Sequence, residues 1–353
     1  MVTESDTIVA ETAARIFADL ADHQTINRAR DTGWKAPLWR AVSEAGLPLA
    51  WASEAQGGFG ANLTAGFAIL GATGRYALPI PLAETLIAGW LLARAGLEAP
   101  SGAMTFAPAQ PRDRIVLNAD GTLSGRASGI PFARDCQHIA VLAMADKGAS
   151  IALVKTGDCR VSQSENLAGD ASDGVTFERT KTIRSAPAPF DASALMLMGA
   201  AVRSVQSAGA LQTILSLSVA YANERVAFER PIGKFQAVQQ NLARLAGETA
   251  AALAAAGSAA DTIVHSDTFD AAVFLEAASA KIRTGEAAAE GAGIAHQVHG
   301  AIGFTNEHVL HRFTLRLLSW RDDFGSESHW AAALGELVAK RGANQFWPML
   351  ASR

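Results

Sequence analysis

Apolar residues recur at helical spacing from the start of the chain. Val9, Ala13, Ile16 and Leu20 mark a first surface helix. Leu38, Ala41, Val42, Ala45 and Leu47 form a second stripe around Gly46, followed by the glycine-rich loop EAQGGFGANL. A further helical run, Leu63 to Tyr76, ends before the breaker Pro79-Ile80-Pro81, and another covers Leu82 to Ala95. Past Pro100 the period changes. Arg114–Leu117, His138–Ala143 and Ile151–Val154 are short apolar runs, divided by the turn segments Asn118–Gly121 and Asp146–Gly148. That spacing predicts strands joined by hairpins. From Ala192 the pattern is helical and alanine-rich, in runs of about 195–227, 236–265, 269–298 and 305–341. The expected fold class is therefore α+β: an N-terminal helical domain over 1–102, a middle β domain over 103–190 and a C-terminal four-helix bundle over 191–353.

Composition narrows the function classes. The 353 residues are 49% hydrophobic, enough for a large core. Lys plus Arg is 30 and Asp plus Glu 34, a formal charge of -4, so the basic face of a nucleic-acid binder is not expected. Cys136 and Cys159 lie in no CxxC pattern and read as unpaired thiols of a reduced, cytoplasmic protein. The acidic N-terminus, with Glu4, Asp6, Glu11, Asp19 and Asp22, does not resemble a signal or transit peptide. The uncharged windows Ala55–Gly74 and Ser204–Asn223 are interrupted by glycines or laced with Ser, Gln and Thr, so no membrane span is expected.

Most chemical motifs are weak. His296, His299, His308 and His311 form two i,i+3 pairs without an HExxH arrangement or a third-ligand signature, and the expectation is packing at a helix junction. GGFG (Gly57–Gly60) and GAIGF (Gly300–Phe304) follow no predicted strand and are not nucleotide fingerprints. No nucleophile elbow surrounds Ser204, Ser207 or Ser328. The stretch YANERVAFERPIGKFQAVQQNLA, Tyr221 to Ala243, is different. A long helix breaks at Arg-Pro-Ile-Gly and a second begins at Gln236. The turn sets Arg225 and an amide on antiparallel helices, with Phe228 as a flat apolar surface. Arg225 can fork onto phosphate oxygens or simply pair with a nearby acid, and the residues alone leave both open.

That stretch resembles the YAxxRxxFGxPIGxFQAVxxxLADM signature of the acyl-CoA dehydrogenase family. SEAGLPLAWASEAQGGFGANL resembles the family's N-terminal GGxG segment, and QVHGAIGFTNEHVLHRFTLRL its QxxGGxGF segment. The three motifs occur in the family's order and the likeness covers nearly the whole chain. It implies an acyl-CoA dehydrogenase-like fold and an FAD cofactor held by Arg225, Phe228 and Gln236, by Gln297, Val298, His299, Gly300 and Ala301, and by Ser326. It implies an acyl-CoA substrate, an electron-transfer flavoprotein or similar acceptor, and assembly as a homo- or hetero-oligomer with another acyl-CoA dehydrogenase chain. In the implied chemistry a carboxylate removes the thioester α-proton while the β-hydrogen leaves as hydride to the flavin. Hydrogen bonds to the carbonyl stabilise the enolate-like charge.

Three departures matter. The family's Glu base falls on Phe324, flanked by Asp322, Asp323 and Glu327, and the alternative segment Leu197–Val202 holds no acid. The β domain lacks the T-E-P-x-x-G-S-D and W-x-T/S stretches; the nearest segments are Thr105–Pro108 and Ser128–Pro131. Glu229 stands where the family usually has Gly. These losses imply a chain that keeps one half of a shared FAD site, the complementing subunit of a heteromeric acyl-CoA dehydrogenase. Two other readings stand beside it. One is a self-sufficient homo-oligomer whose base is Asp323 or Glu327; the other is a non-catalytic binding subunit. The resemblance places Arg203 near the CoA phosphates, with a surface ion pair as the alternative, and Glu307 and Arg312 as braces of the last helix.

Overall fold

The structure, a computed structural model, describes residues 4–351 apart from Arg30, Phe59 and Pro111, so Phe59 of the GGFG loop lies outside the described residues. The N-terminal helices are α1 (Glu4–Leu20), α2 (His23–Arg28), α3 (Lys35–Glu44), α4 (Leu63–Arg75) and α5 (Leu82–Arg94). Local chemistry sets their starts. Asp22 accepts the Gln24 and Thr25 amides at α2, and Asn62 accepts the Ala65 amide at α4. Phe17, Leu38, Ile69, Leu86 and Leu91 are buried together in the core these helices share. Each such side chain contributes about 1.5–3 kcal/mol by leaving water.

The middle segment folds into β1 (Met104–Ala107), β2 (Arg114–Leu117), β3 (Thr122–Pro131), β4 (His138–Ala145), β5 (Gly148–Lys155), β6 (Arg160–Ser162), β7 (Ser172–Lys181) and β8 (Arg184–Pro187). The sheet order is β6-β7-β3-β2-β4-β5-β8, with β1 parallel beside β4. The two expected hairpins are present: β2 pairs antiparallel with β3, and β4 with β5. Ser128–Pro131 lies in β3, where the register with β7 shifts between Ala127 and Ile130. Thr85 of α5 ties this sheet to the helices by accepting the Met104 amide at 3.0 Å.

The C-terminal helices are α6 (Ala192–Glu224), α7 (Gln236–Val264), α8 (Ala271–His299), α9 (Leu310–Asp322), α10 (Glu327–Arg341) and α11 (Ala343–Ala351). Asp191 caps α6 and Asp270 caps α8. Leu211, Leu245, Ala288, Phe313 and Leu317 form their shared core. α6 is long and apolar enough to cross a membrane by length and composition, but 94% of its most apolar window is buried inside the fold. The expected single run 305–341 is broken. Helix starts only at Leu310, and Phe324 (φ 57°) and Gly325 (φ 96°) are left-handed, which stops α9 and lets Ser326 cap α10.

Candidate functional site

α6 ends in a tight hairpin. β9 (Val226–Ala227) pairs antiparallel with β10 (Arg230–Pro231). The two residues at the tip, Phe228 and Glu229, both have positive φ, 52° and 65°. This is the backbone of a mirror-image hairpin turn, normally built with Asn-Gly. Here it is made without glycine, so both residues carry backbone strain. The Phe228 ring stands out at 89% exposure, edge-on to Phe235 at 6.3 Å. The Arg230 guanidinium lies 4.2 Å from the Phe235 ring centre. Arg225 is exposed, and its guanidinium forms no ion pair among the described residues. Gln236 opens α7, also exposed.

Tyr221, one turn before Arg225, joins this hairpin to the glycine loop after α8. Its ring stacks on His299 at 4.5 Å. Beyond His299 come Gly300, with φ 65°, and the exposed residue Ala301. Gln297 is exposed on the last turn of α8, while Val298 and His299 are buried. His299 Nδ1 lies 2.8 Å from the Ala295 carbonyl, and its buried Nε2 has no hydrogen-bond partner among the described residues. His296 bonds Thr314 at 2.8 Å and stacks under Phe304, whose ring is itself exposed. Burial pulls the pKa of His296, His299 and His308 below the ordinary histidine value. The histidines thus pack and hydrogen-bond at a helix junction, and among the described residues no group of His, Cys, Asp or Glu is arranged to hold a metal.

One end of the bundle therefore presents an unpaired guanidinium, an exposed phenyl ring, exposed amides and a left-handed glycine. These groups suit a flat ring and a diphosphate. Among the sequence candidates, Arg225, Phe228, Gln236, Gln297, His299, Gly300 and Ala301 belong to this end. Ser326 does not expose its hydroxyl freely: it caps α10 at His329 and contacts Ser328 at 2.9 Å.

The segment aligned with the family's base looks inward. Phe324 is 1% exposed. It stacks on Phe106 of β1 at 5.7 Å and covers Gly199 of α6, and its carbonyl accepts the Trp330 indole N–H at 2.9 Å. Asp323 accepts from Arg203 Nε at 2.8 Å. The other Arg203 nitrogens donate to Glu84 at 2.8 Å and Gln206 at 2.6 Å. Gln206 in turn donates to Thr73 at 2.9 Å. Arg203 is only 4% exposed, so the assignment to CoA phosphates is corrected: its donors are spent inside the fold. Burial would lower its pKa, but Glu84 and Asp323 more than reverse that; Glu84 is raised, mainly by burial. Glu327 pairs with Arg321. Both candidate bases are therefore in ion pairs, and a phenyl ring fills the place between them.

Sequence reading missed Glu84 and Lys281. Lys281 is buried and donates to the carbonyls of Trp320 at 2.9 Å and Arg321 at 2.6 Å, closing the C-terminus of α9. The available signal was a lone charge within an apolar helical run, as in LAETLIAGWLL. Cys136 and Cys159 are free; burial pushes the Cys159 thiol up to about 11.

Comparison with known proteins points one way. Residues 192–326 match the family model for the acyl-CoA dehydrogenase C-terminal domain. Acyl-CoA dehydrogenase IpdE2 of Mycobacterium tuberculosis is 27% identical over 319 residues, 89% of this chain and 91% of that protein. The solved structure of the Tcur3481-Tcur3483 steroid ACAD superposes with a TM-score of 0.84 at 25% identity, covering 96% of this chain and 99% of that one. The ChsE4-ChsE5 complex of Mycobacterium tuberculosis gives a TM-score of 0.82 at 22% identity, covering 97% and 99%, a likeness of fold.

Proposed function

We propose that the chain, similar to acyl-CoA dehydrogenases over residues 192–326 and across its fold, takes part in FAD-dependent α,β-dehydrogenation of an acyl-CoA thioester as the subunit that completes an FAD site shared with a second acyl-CoA dehydrogenase chain. The observation that carries this reading is the asymmetry between two regions. The end of the bundle bearing Arg225, Phe228, Gln236 and Gly300 is open and unpaired. The base position is closed by Phe324, with Asp323 and Glu327 neutralised by Arg203 and Arg321. A carboxylate must be free to take a proton; an ion-paired one with a depleted approach is a poor base. The partner chain supplies the base and the β-domain contacts.

A bound FAD would supply the hydride acceptor that the dehydrogenation needs. This chain's part would be to hold it: Arg225 would fork onto phosphate oxygens, Phe228 would offer its ring to a flat group, and Gln236 and Gln297 would supply amides. The paired makeup of the Tcur3481-Tcur3483 and ChsE4-ChsE5 structures supports a two-chain assembly.

The test is a flavin spectrum of the purified chain, alone and co-expressed with acyl-CoA dehydrogenase chains of the same genome, read at about 370 and about 450 nm, the bands of an oxidised flavin. The expected result is a colourless lone chain and a yellow complex that loses its flavin with Arg225→Ala. A lone chain holding one FAD and oxidising an acyl-CoA overturns the reading in favour of a homo-oligomer. Colourless protein with every partner favours a non-catalytic binding subunit.

A further inference from the structure

A second cleft, of about 290 Å³, opens between α9, the corner joining α2 to α3, and the loop before β7. Its charged lining consists of Lys35, Arg312 and Arg316 against Asp31 and Asp170, with His311 beside them. Among the described residues, three cations face two carboxylates, an excess of one positive charge.

That excess sits on Arg312. Arg316 is fully committed: its fork grips Asp170 at 2.9 and 2.7 Å, and its remaining nitrogen donates to the Ala77 carbonyl at 2.7 Å. Asp31 is exposed and caps the Gly33 amide. Arg312 is half-buried and forms no ion pair among the described residues. Among the described residues, its guanidinium makes one hydrogen bond, a long donation of 3.4 Å to the Ile26 carbonyl. A guanidinium has five donors in a fixed fork. Desolvated charges in proteins are nearly always paired. Burial, with Arg316 alongside, pulls the Arg312 pKa down to about 10. Asp170 opposes that shift, but its oxygens are held by the Arg316 fork, so among the described residues this guanidinium faces the polar cleft without a carboxylate of its own.

We propose that this cleft is a binding site for a compact oxyanion, a phosphate or carboxylate group held by the Arg312 fork with Lys35 beside it. Planar bidentate recognition of either group is what a guanidinium does best, and a lysine adds a point charge. The volume, about 290 Å³, falls just below the roughly 300–1,000 Å³ of ligand pockets, which suits one headgroup rather than a nucleotide. The cleft uses none of the residues assigned to the flavin, so this site stands or falls independently of that reading.

The test is calorimetric titration of the full chain, at constant ionic strength, with inorganic phosphate in one arm and acetate in the other. Saturable binding of either is expected, the arm that saturates naming the group. Arg312→Gln should weaken it by about tenfold or more, and Lys35→Gln by a few-fold, as for charge-assisted hydrogen bonds. Absence of saturable binding in both arms overturns the site, and so does unchanged affinity in Arg312→Gln. Should that variant not fold, Lys35→Gln decides: Lys35 opens α3 on the surface side, and an unchanged affinity there overturns the proposal.

Discussion

The ring of Phe324 lies against the bare backbone of Gly199: a Cβ at position 199 would stand 2.2 Å from its Cδ1. The missing side chain on α6 makes room for the aromatic ring that occupies the base position. Gly199→Ala should therefore destabilise the protein by about 1–3 kcal/mol as overpacking, despite the better helix propensity of alanine. Phe324→Ala should cost about 3–5 kcal/mol through the cavity it leaves. The double variant should cost clearly less than the sum, because the new methyl enters the vacated space. Urea unfolding of the four proteins gives the cycle, and strict additivity would mean that the two positions do not share this space.

Burial holds His299 below its ordinary pKa, with His296 adding repulsion and the Ala295 carbonyl opposing. A depressed histidine binds fewer protons in the folded state. Its contribution to stability is complete above the unfolded pKa of 6.5 and is lost as pH falls through that value towards the folded one. His296 and His308 move in the same direction. Stability should drop between pH 7.5 and 5.5, and His299→Phe, which keeps a ring against Tyr221, should flatten that drop. Denaturant midpoints across the pH series test it; an equal slope in both proteins would contradict the assignment.

The elements were legible where periodicity and breakers agree. Leu63–Tyr76 is expected and α4 spans Leu63–Arg75; the hairpins at Asn118–Gly121 and Asp146–Gly148 follow from Asp-Gly and Lys-Gly turns. The break within 305–341 was not legible as structure, because nothing in the apolar period marks Phe324 as left-handed; packing against Gly199 and Phe106 decides it. Nor was the partner of Arg203 legible. Glu84 lies 119 positions away on another helix, and only the fold brings the two within 2.8 Å. Motif likeness placed Arg203 by its position on α6, whereas the direction of its side chain depends on which groups can be desolvated together.

The tip of the hairpin offers a different measurement. Glu229 has φ 65° and is exposed, so its Cβ strains the backbone without any packing gain. Glu229→Gly should stabilise the chain by about 1 kcal/mol, the left-handed penalty of an L-residue less the greater entropy glycine loses on folding. Chemical denaturation is sufficient to see it. A loss of stability would show that the carboxylate makes a favourable interaction outweighing the strain.

Lys281 links the buried core of α8 to the turn that carries Phe324. Its ammonium donates to the last carbonyls of α9, at Trp320 and Arg321, and burial lowers its pKa to about 8. The Trp320 carbonyl otherwise accepts only a long 3.3 Å bond from the Asp323 amide, since the chain turns away at Asp323 and Phe324. Lys281→Met keeps the volume of the stem and removes the donors. The expected effect is local: the Asp323, Phe324 and Gly325 amides should exchange with solvent faster, while those of α7 keep their protection. The pH dependence adds a second signature. A lysine with a depressed folded pKa makes the native state more stable as pH rises from about 8 towards 10.5, and that rise should disappear in Lys281→Met. Unchanged exchange at the Phe324 turn, with an unchanged alkaline profile, would show that the turn is held by the Phe324 packing and the Trp330 hydrogen bond alone.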